Sequence, residues 1–251
     1  MYKIPASTLF VGKKLVYVPE CHSTNTLSAE LSQRGSVEEG TLVITSNQLG
    51  GRGQRGNQWI SEPGKNLTFS LILKPTFLKP DQQFRLTQVV SLAVADYANS
   101  KAKGVKIKWP NDVLINNKKT CGILIENSIS GECIQTSVVG VGFNVNQVDF
   151  AKIKGTSLKN ETGLDFDLQN ELNDLLPCIE IRYLQLRDGK FEKLSDDYLN
   201  RLYRKGQRHS FRIGNTEKQG VIDGVDQRGR LVVLIDHDKH YFDLKEISFV
   251  D

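Results

Sequence analysis

The sequence predicts an α+β fold: a mixed β-sheet with helices packed on it, followed by a small all-β unit. Strand-length apolar runs dominate residues 15–146, with only a few helical stripes between them. After Gly206 the character changes to short runs punctuated by "GN", "DG", "DQRG" and "DHDK". The length, 251 residues with 39% apolar and 25% charged, suits a large domain plus a small one, with a core that needs no staples. The boundary is expected at residues 205/206, giving domains 1–205 and 206–251.

The elements follow in chain order. "KLVYVP" alternates as a strand. "STNTLSAELSQRG" offers Ser23 or Thr24 as an N-cap, Leu27 and Leu31 at i, i+4, and Gly35 as a stop. "GTLVITS" is a β-branched, buried strand. "NLTFSLILKP" puts Leu67, Phe69, Leu71 and Leu73 at period two, a strand with one buried face. Residues 81–100 carry a helical stripe of Phe84, Val89, Val90, Ala93 and Tyr97.

"VKIKWPNDVLINNKKTCGILIEN" reads as two strands around "NNKK", and "IQTSVVGVGFNVN" as another. The helices are expected on one face of this sheet. Two more follow: 167–186, capped by Asp167 and kinked at Pro177, and 190–204, with Phe191, Leu194, Tyr198 and Leu202 on one side. The C-terminal runs fit a barrel of about five strands.

Charge and cysteine usage exclude several classes. A net charge of +4 fits an anionic small ligand or an acidic partner without requiring nucleic acid. Cys21, Cys121, Cys133 and Cys178 form no C-x-x-C pair and have no histidine at ligand spacing, which argues against structural zinc. His237 and His240 among aspartates read as a hairpin turn. No apolar segment has signal or membrane-spanning character, so the cytoplasm and free thiols are expected.

"GGRGQRGNQW", residues 50–59, contains a literal G-x-G-x-x-G at Gly51, Gly53 and Gly56. A dinucleotide turn needs a strand before it, a helix after it and an acid about 20 residues on. Only the strand is present; "NQWISEPGKNL" follows, and "LILKP" lies where the acid should be. The alternative is an electropositive loop whose glycines let the backbone approach a ligand and whose Arg52 and Arg55 fork onto anionic oxygens. Such a loop is costly to order and is expected to settle on its ligand.

The loop is one of several motifs: "CHSTN" upstream, Gln48 just before, then "KWPND" at 108–112, "KKTCGILIE" at 118–126 and "VGVGFNVN" at 139–146. In this order and at these separations they resemble the biotin–protein ligases, across nearly the whole chain. The resemblance implies a biotin/lipoate ligase-like catalytic domain and a C-terminal SH3-like β-barrel. It also implies an activity: ATP converts the biotin carboxylate to biotinoyl-5′-AMP, and a lysine of a biotin carboxyl carrier protein then takes the acyl group.

Site roles follow from the same resemblance. Biotin is assigned to Ser23, Thr24, Asn25, Gln48, Gly51, Arg52, Gly53, Gln54, Lys119 and Gly122. ATP and the adenylate are assigned to Arg52, Arg55, Trp59, Lys108, Asn111, Lys119 and Asn144. Arg52, Lys119 and Asp112 carry the chemistry, with Mg²⁺ arriving on the ATP phosphates. Asp112 either assists the incoming carrier lysine or contacts that Mg²⁺. Without the resemblance, Ser23 to Asn25 read as helix capping, Trp59 as core packing and Lys119 as turn decoration; Lys118 keeps that reading.

Two departures stand out. Many relatives have arginine where Gln54 stands, and the uncharged amide implies weaker retention of the adenylate unless Arg55 compensates. Bifunctional relatives carry an N-terminal helix-turn-helix, whereas "CHSTN" begins about 20 residues in, so a ligase without repressor or nucleic-acid function is expected. A lipoate or octanoate ligase or transferase is the rival on the same fold. No membrane partner is expected, and a homodimer is left open.

Overall fold

The computed structural model describes residues 2–5, 7–35, 37–150 and 154–250, with Arg55 described by its backbone alone. β1 (Leu15–Cys21) leads through α1 (Thr24–Arg34) into β2 (Thr41–Gln48), which lies parallel to β1. Next come β3 (Leu67–Leu73), α2 (Phe84–Lys101), β4 (Val105–Lys108), β5 (Asp112–Ile115), β6 (Lys118–Ser130) and β7 (Cys133–Phe143). These make one seven-stranded sheet in the order β1-β2-β3-β7-β6-β5-β4. Every pair except β1–β2 is antiparallel, so the sheet is mixed, as expected.

The core lies between this sheet and α2. Phe69 and Leu71 of β3, Val139 and Val141 of β7, and Val89, Val90, Ala93 and Tyr97 of α2 are buried in one cluster. α3 (Leu158–Thr162), α4 (Leu168–Arg187) and α5 (Phe191–Arg201) follow, and α4 covers α2 with buried Leu172, Leu175, Leu176 and Ile179. Asp167 caps α4, accepting from Asn170 N at 2.9 Å, and Pro177 lies inside the helix. Glu180 of α4 ties down the N-terminal segment, accepting from the backbone N–H groups of Leu9, Phe10 and Val11 at 2.6, 2.8 and 2.9 Å. No helix among the described residues is long and apolar enough to cross a membrane.

Several expectations are amended. β3 is buried at every position, not on one face. Its second face is covered by α1, because Ser70 donates to Asn25 Oδ1 at 2.6 Å while Phe69 and Leu71 point into the α2 core. Helices therefore pack on both faces of the sheet. α1 in turn buries Thr24, Asn25 and Ser28, while Leu27 and Leu31 are only half-buried. "WPND" makes a turn of its own, with Pro110 following a cis peptide, so the segment holds three strands instead of two. Asn116 and Asn117 take positive φ of 49° and 66° in the next turn, as asparagine tolerates. α2 begins at Phe84, after a separate 3₁₀ turn over Pro80–Gln82. The short helix α3 was not expected.

The C-terminal strands are five, as expected: β8 (Arg208–Ile213), β9 (Thr216–Val225), β10 (Leu231–Ile235), β11 (Asp238–Phe242) and β12 (Ile247–Phe249). They form an antiparallel sheet in the order β11-β10-β9-β8-β12, the arrangement of an SH3-like unit. His237 occupies the β10–β11 turn with φ 74°. This unit meets the large sheet at its β4 edge. Trp109 Nε1, just after β4, donates to Gly229 O at 2.8 Å.

Candidate active site

Three glycines pave a cleft on the α1 face of the sheet. Gly122 of β6 sits directly opposite Gly142 of β7, and Gly140 lies two residues back along β7. A β-carbon at Gly140 would overlap the Asn25 amide, and one at Gly142 would overlap the Trp59 indole. At Gly122 it would stand 2.9 Å from Trp59 Cζ3. The absent side chains thus let the start of α1 and a flat aromatic ring approach the strand backbones. The cleft has a volume of about 240 Å³ and is open to solvent.

One end is neutral and rich in hydrogen-bonding groups. Ser23 caps α1, its hydroxyl accepting from Thr26 N at 3.4 Å. Gln48 Oε1 accepts from Thr24 N at 2.9 Å and from the Thr24 hydroxyl at 3.3 Å. The Ser70 hydroxyl lies 2.8 Å from that of Thr24. Asn25 Nδ2 donates to Glu126 Oε2 at 2.8 Å. Helix capping and ligand recognition are therefore compatible, because the same turn that starts α1 presents these groups to the cleft.

The glycine/arginine loop folds over the cleft as a small hairpin. Trp59 N donates to Gly51 O at 2.9 Å, Gly53 N to Asn57 O at 2.7 Å, and Arg52 bridges Gln58. A single 3₁₀ turn, Gln54–Gly56, closes it; no α-helix follows, which disposes of the dinucleotide reading. Arg52 Nη2 pairs with Glu126 Oε2 at 2.9 Å. Gln54 Oε1 and Trp59 Nε1 are buried without a hydrogen-bond partner among the described residues. Orphaned polar atoms of this kind cost about 1–3 kcal/mol each until a partner arrives.

The other end is charged. Lys119 Nζ pairs with Asp112 Oδ1 at 2.6 Å and stands 5.6 Å from the Trp59 ring centroid. The turn through Pro110 aims Asp112 here, while the Asn111 amide is tied to Ile123 O at 2.6 Å. Leu244 and Lys245 of the C-terminal unit line the same cleft. Beneath it, burial pushes the Cys121 thiol well above its ordinary range, so it stays protonated.

Ser23, Thr24, Asn25, Gln48, Arg52, Gly53, Gln54, Trp59, Asn111, Asp112, Lys119 and Gly122 all line this cleft, and Gly51 borders the adjoining outer cavity. Lys108 and Asn144 do not line it. The Lys108 ammonium lies 4.7 Å from the Phe249 ring centroid. Asn144 is buried, its N–H donating to Thr120 O and its amide to Thr156 O at 3.0 Å. The Arg55 side chain lies outside the described residues. Sequence reasoning missed Ser70, Glu126 and Lys245. Ser70 left one signal, a hydroxyl inside "TFSLIL", and Glu126 another, as the last residue of the "KKTCGILIE" motif; Lys245 left none beyond ordinary surface charge.

A slot with a hydrogen-bonding end, a glycine floor and cations beside it suits an enzyme that joins a small acid to another group. The comparisons specify which. Residues 17–144 match the biotin/lipoate A/B protein ligase family. The bifunctional ligase/repressor BirA of Bacillus spizizenii is 32% identical over 234 residues, covering 90% of this chain and 71% of the relative. The biotin–[acetyl-CoA-carboxylase] ligase of Paracoccus denitrificans is 32% identical over 222 residues, 84% of this chain and 90% of the relative. The biotin protein ligase of Aquifex aeolicus in complex with biotin and ATP superposes with a TM-score of 0.78 at 26% identity, over 94% of this chain and 98% of that one. This chain belongs to the biotin/lipoate A/B protein ligase family.

Proposed function

We propose that this protein is a biotin–protein ligase: it activates biotin with ATP to biotinoyl-5′-AMP and transfers the biotinoyl group to a lysine of a biotin carboxyl carrier protein. One observation carries the reading: a single cleft gathers hydrogen-bonding groups (Ser23, Thr24, Asn25, Gln48), bare glycine backbone and the cations Arg52 and Lys119, a set that matches biotin's ureido head, apolar body and carboxylate. Ser23, Thr24, Asn25 and Gln48 hold the head. Gly51, Gly53 and Gly122 allow close approach. Arg52 and Lys119 neutralise the carboxylate and the α-phosphate as they meet, where positive charge in a sheltered site lowers the barrier most.

The biotin carboxylate oxygen bonds to the α-phosphorus and pyrophosphate leaves. The carrier's neutral ε-amine then attacks the acyl carbon, AMP departs, and the amide nitrogen gives up its proton. The hairpin over the cleft shields the anhydride from water, and Trp59 offers its indole to the adenine. Asn111 and Gln54 supply further polar contacts. Lys108 and Asn144 act at a distance, through the barrel contact and the Thr156 segment. Asp112 is the single carboxylate among the described residues lining the cleft, which suits a Mg²⁺ held chiefly by ATP phosphates, as Mg²⁺ prefers. That ion would screen phosphate charge; Asp112 itself orients Lys119 and receives the carrier lysine.

We place the catalytic domain at residues 1–205 and the C-terminal domain at 206–251, where β8 begins two residues on. The test is direct. Incubation with ATP, Mg²⁺, biotin and a biotin carrier domain should put streptavidin-detectable label on one carrier lysine. No label, or label formed only with lipoate on a lipoyl carrier, would overturn the reading.

A further inference from the structure

Glu126, the last residue of "KKTCGILIE", belongs to no role assigned so far. Its Oε2 atom accepts from Asn25 Nδ2 at 2.8 Å and from Arg52 Nη2 at 2.9 Å. The two partners come from different elements: Asn25 from the first turn of α1, Arg52 from the hairpin. Both line the cleft, whereas Glu126 lines only the adjoining outer cavity, behind Arg52. Asn25 is 4% exposed and is held on its other side by Ser70. Arg52 has no other side-chain partner among the described residues, so Glu126 alone sets where its guanidinium points.

We propose that Glu126 is a positioning residue that couples Asn25 to Arg52 in the biotin site. From outside the cleft, one carboxylate oxygen fixes Asn25 for the head group and turns Arg52 so that its remaining N–H edge faces the carboxylate and phosphate. The inference rests on the ligase reading and deepens it. The pair is roughly half-exposed, with side-chain exposures of 48% and 41%, so its worth as a stabilising ion pair is small. Its worth for pre-orienting a forked donor is larger, because an arginine that arrives oriented loses less freedom on binding.

The experiment compares Glu126→Gln and Glu126→Ala with the parent by biotin titration calorimetry, steady-state kinetics and thermal melting. Biotin binding by the parent is read first; its absence would sink the ligase reading and this inference with it, whereas binding by the parent that the variants leave unchanged sinks this inference alone. The alanine variant should bind biotin about tenfold more weakly, a single well-oriented polar contact being worth about that much. The glutamine variant keeps a neutral acceptor for Asn25 and should recover part of the loss. Both should melt close to the parent.

In an Arg52→Ala background, Glu126→Ala should cost clearly less than in the parent, because its effect runs through Arg52. Two results would overturn the proposal: parental biotin affinity in the alanine variant, or a loss of the same size whether or not Arg52 is present. A loss tracking a lowered melting temperature, with no recovery by glutamine, would equally count against it.

Discussion

Gly142→Ala tests the glycine floor with one carbon. The added β-carbon would lie 2.3 Å from Trp59 Cε2, against an ordinary carbon–carbon contact of about 3.5–4.0 Å, a shortfall of roughly 1–2 Å. The backbone has little room to yield, because β7 is paired on both sides: Gly142 faces Thr68 of β3 and Gly122 of β6. The indole must lift instead. Since the ring rides on a hairpin and not in the main core, the strain should fall at the low end of overpacking, about 1 kcal/mol. For a chain of this size that is a melting shift of roughly 2–4 °C.

The functional loss should be larger than the stability loss. On the proposed stacking of Trp59 against the adenine, a ring displaced by about 1 Å loses its fit, and kcat/KM for ATP should fall about tenfold or more, as misfits of one methyl group do in closed pockets. The assays are calorimetric melting, pyrophosphate release at varied ATP, and tryptophan emission with Trp59→Phe as the assignment control. Adding Trp59→Ala to Gly142→Ala should restore the melting temperature without restoring the rate. Parental melting, emission and kcat/KM in Gly142→Ala would refute the claim that this glycine exists to admit the indole.

Three further outcomes follow from the same geometry. Gln54→Arg should slow the release of biotinoyl-AMP measured by product chase, because a guanidinium adds charge where an unpartnered amide oxygen now sits; release at the parental rate would refute this. Glu180→Ala removes the acceptor of three backbone N–H groups and should destabilise the fold by about 3 kcal/mol, seen as a lowered melting temperature with near-parental activity in the remaining folded enzyme. Cys121, fully buried with its thiol pushed upward, should resist iodoacetamide at pH 8 until urea unfolds the chain, whereas Cys21, Cys133 and Cys178 are partly accessible; mass spectrometry of native and unfolded samples separates the two.

Element type was legible in the sequence wherever a local pattern had one physical cause. The stripe of Val89, Val90, Ala93 and Tyr97 could only be a helix with one core face, and the turn-punctuated runs after Gly206 could only be short strands. Errors arose where burial came from a distant partner. β3 looked one-sided because Thr68 and Ser70 are polar, yet α1 covers that face and satisfies Ser70. α1 looked like a leucine-faced helix, yet it buries the polar residues that build the recognition end.

The site divides the same way. The resemblance to the biotin–protein ligases, carried by motif order, pointed to Arg52, Lys119, Asp112 and the "CHSTN" turn; read locally, the turn is a helix cap and the lysine turn decoration. What sequence could not supply was which atoms hold them. The Lys119–Asp112 pair joins β6 to the start of β5, and the Glu126 bridge joins β6 to both α1 and the hairpin. Lys108 turns to Phe249 and away from the cleft because the C-terminal sheet docks at its strand, while Lys245 enters from that same unit. Composition and periodicity are local and survive in the one-dimensional chain. Which side chains share a cavity depends on strand order and on what packs across each face, and only the assembled sheet decided that.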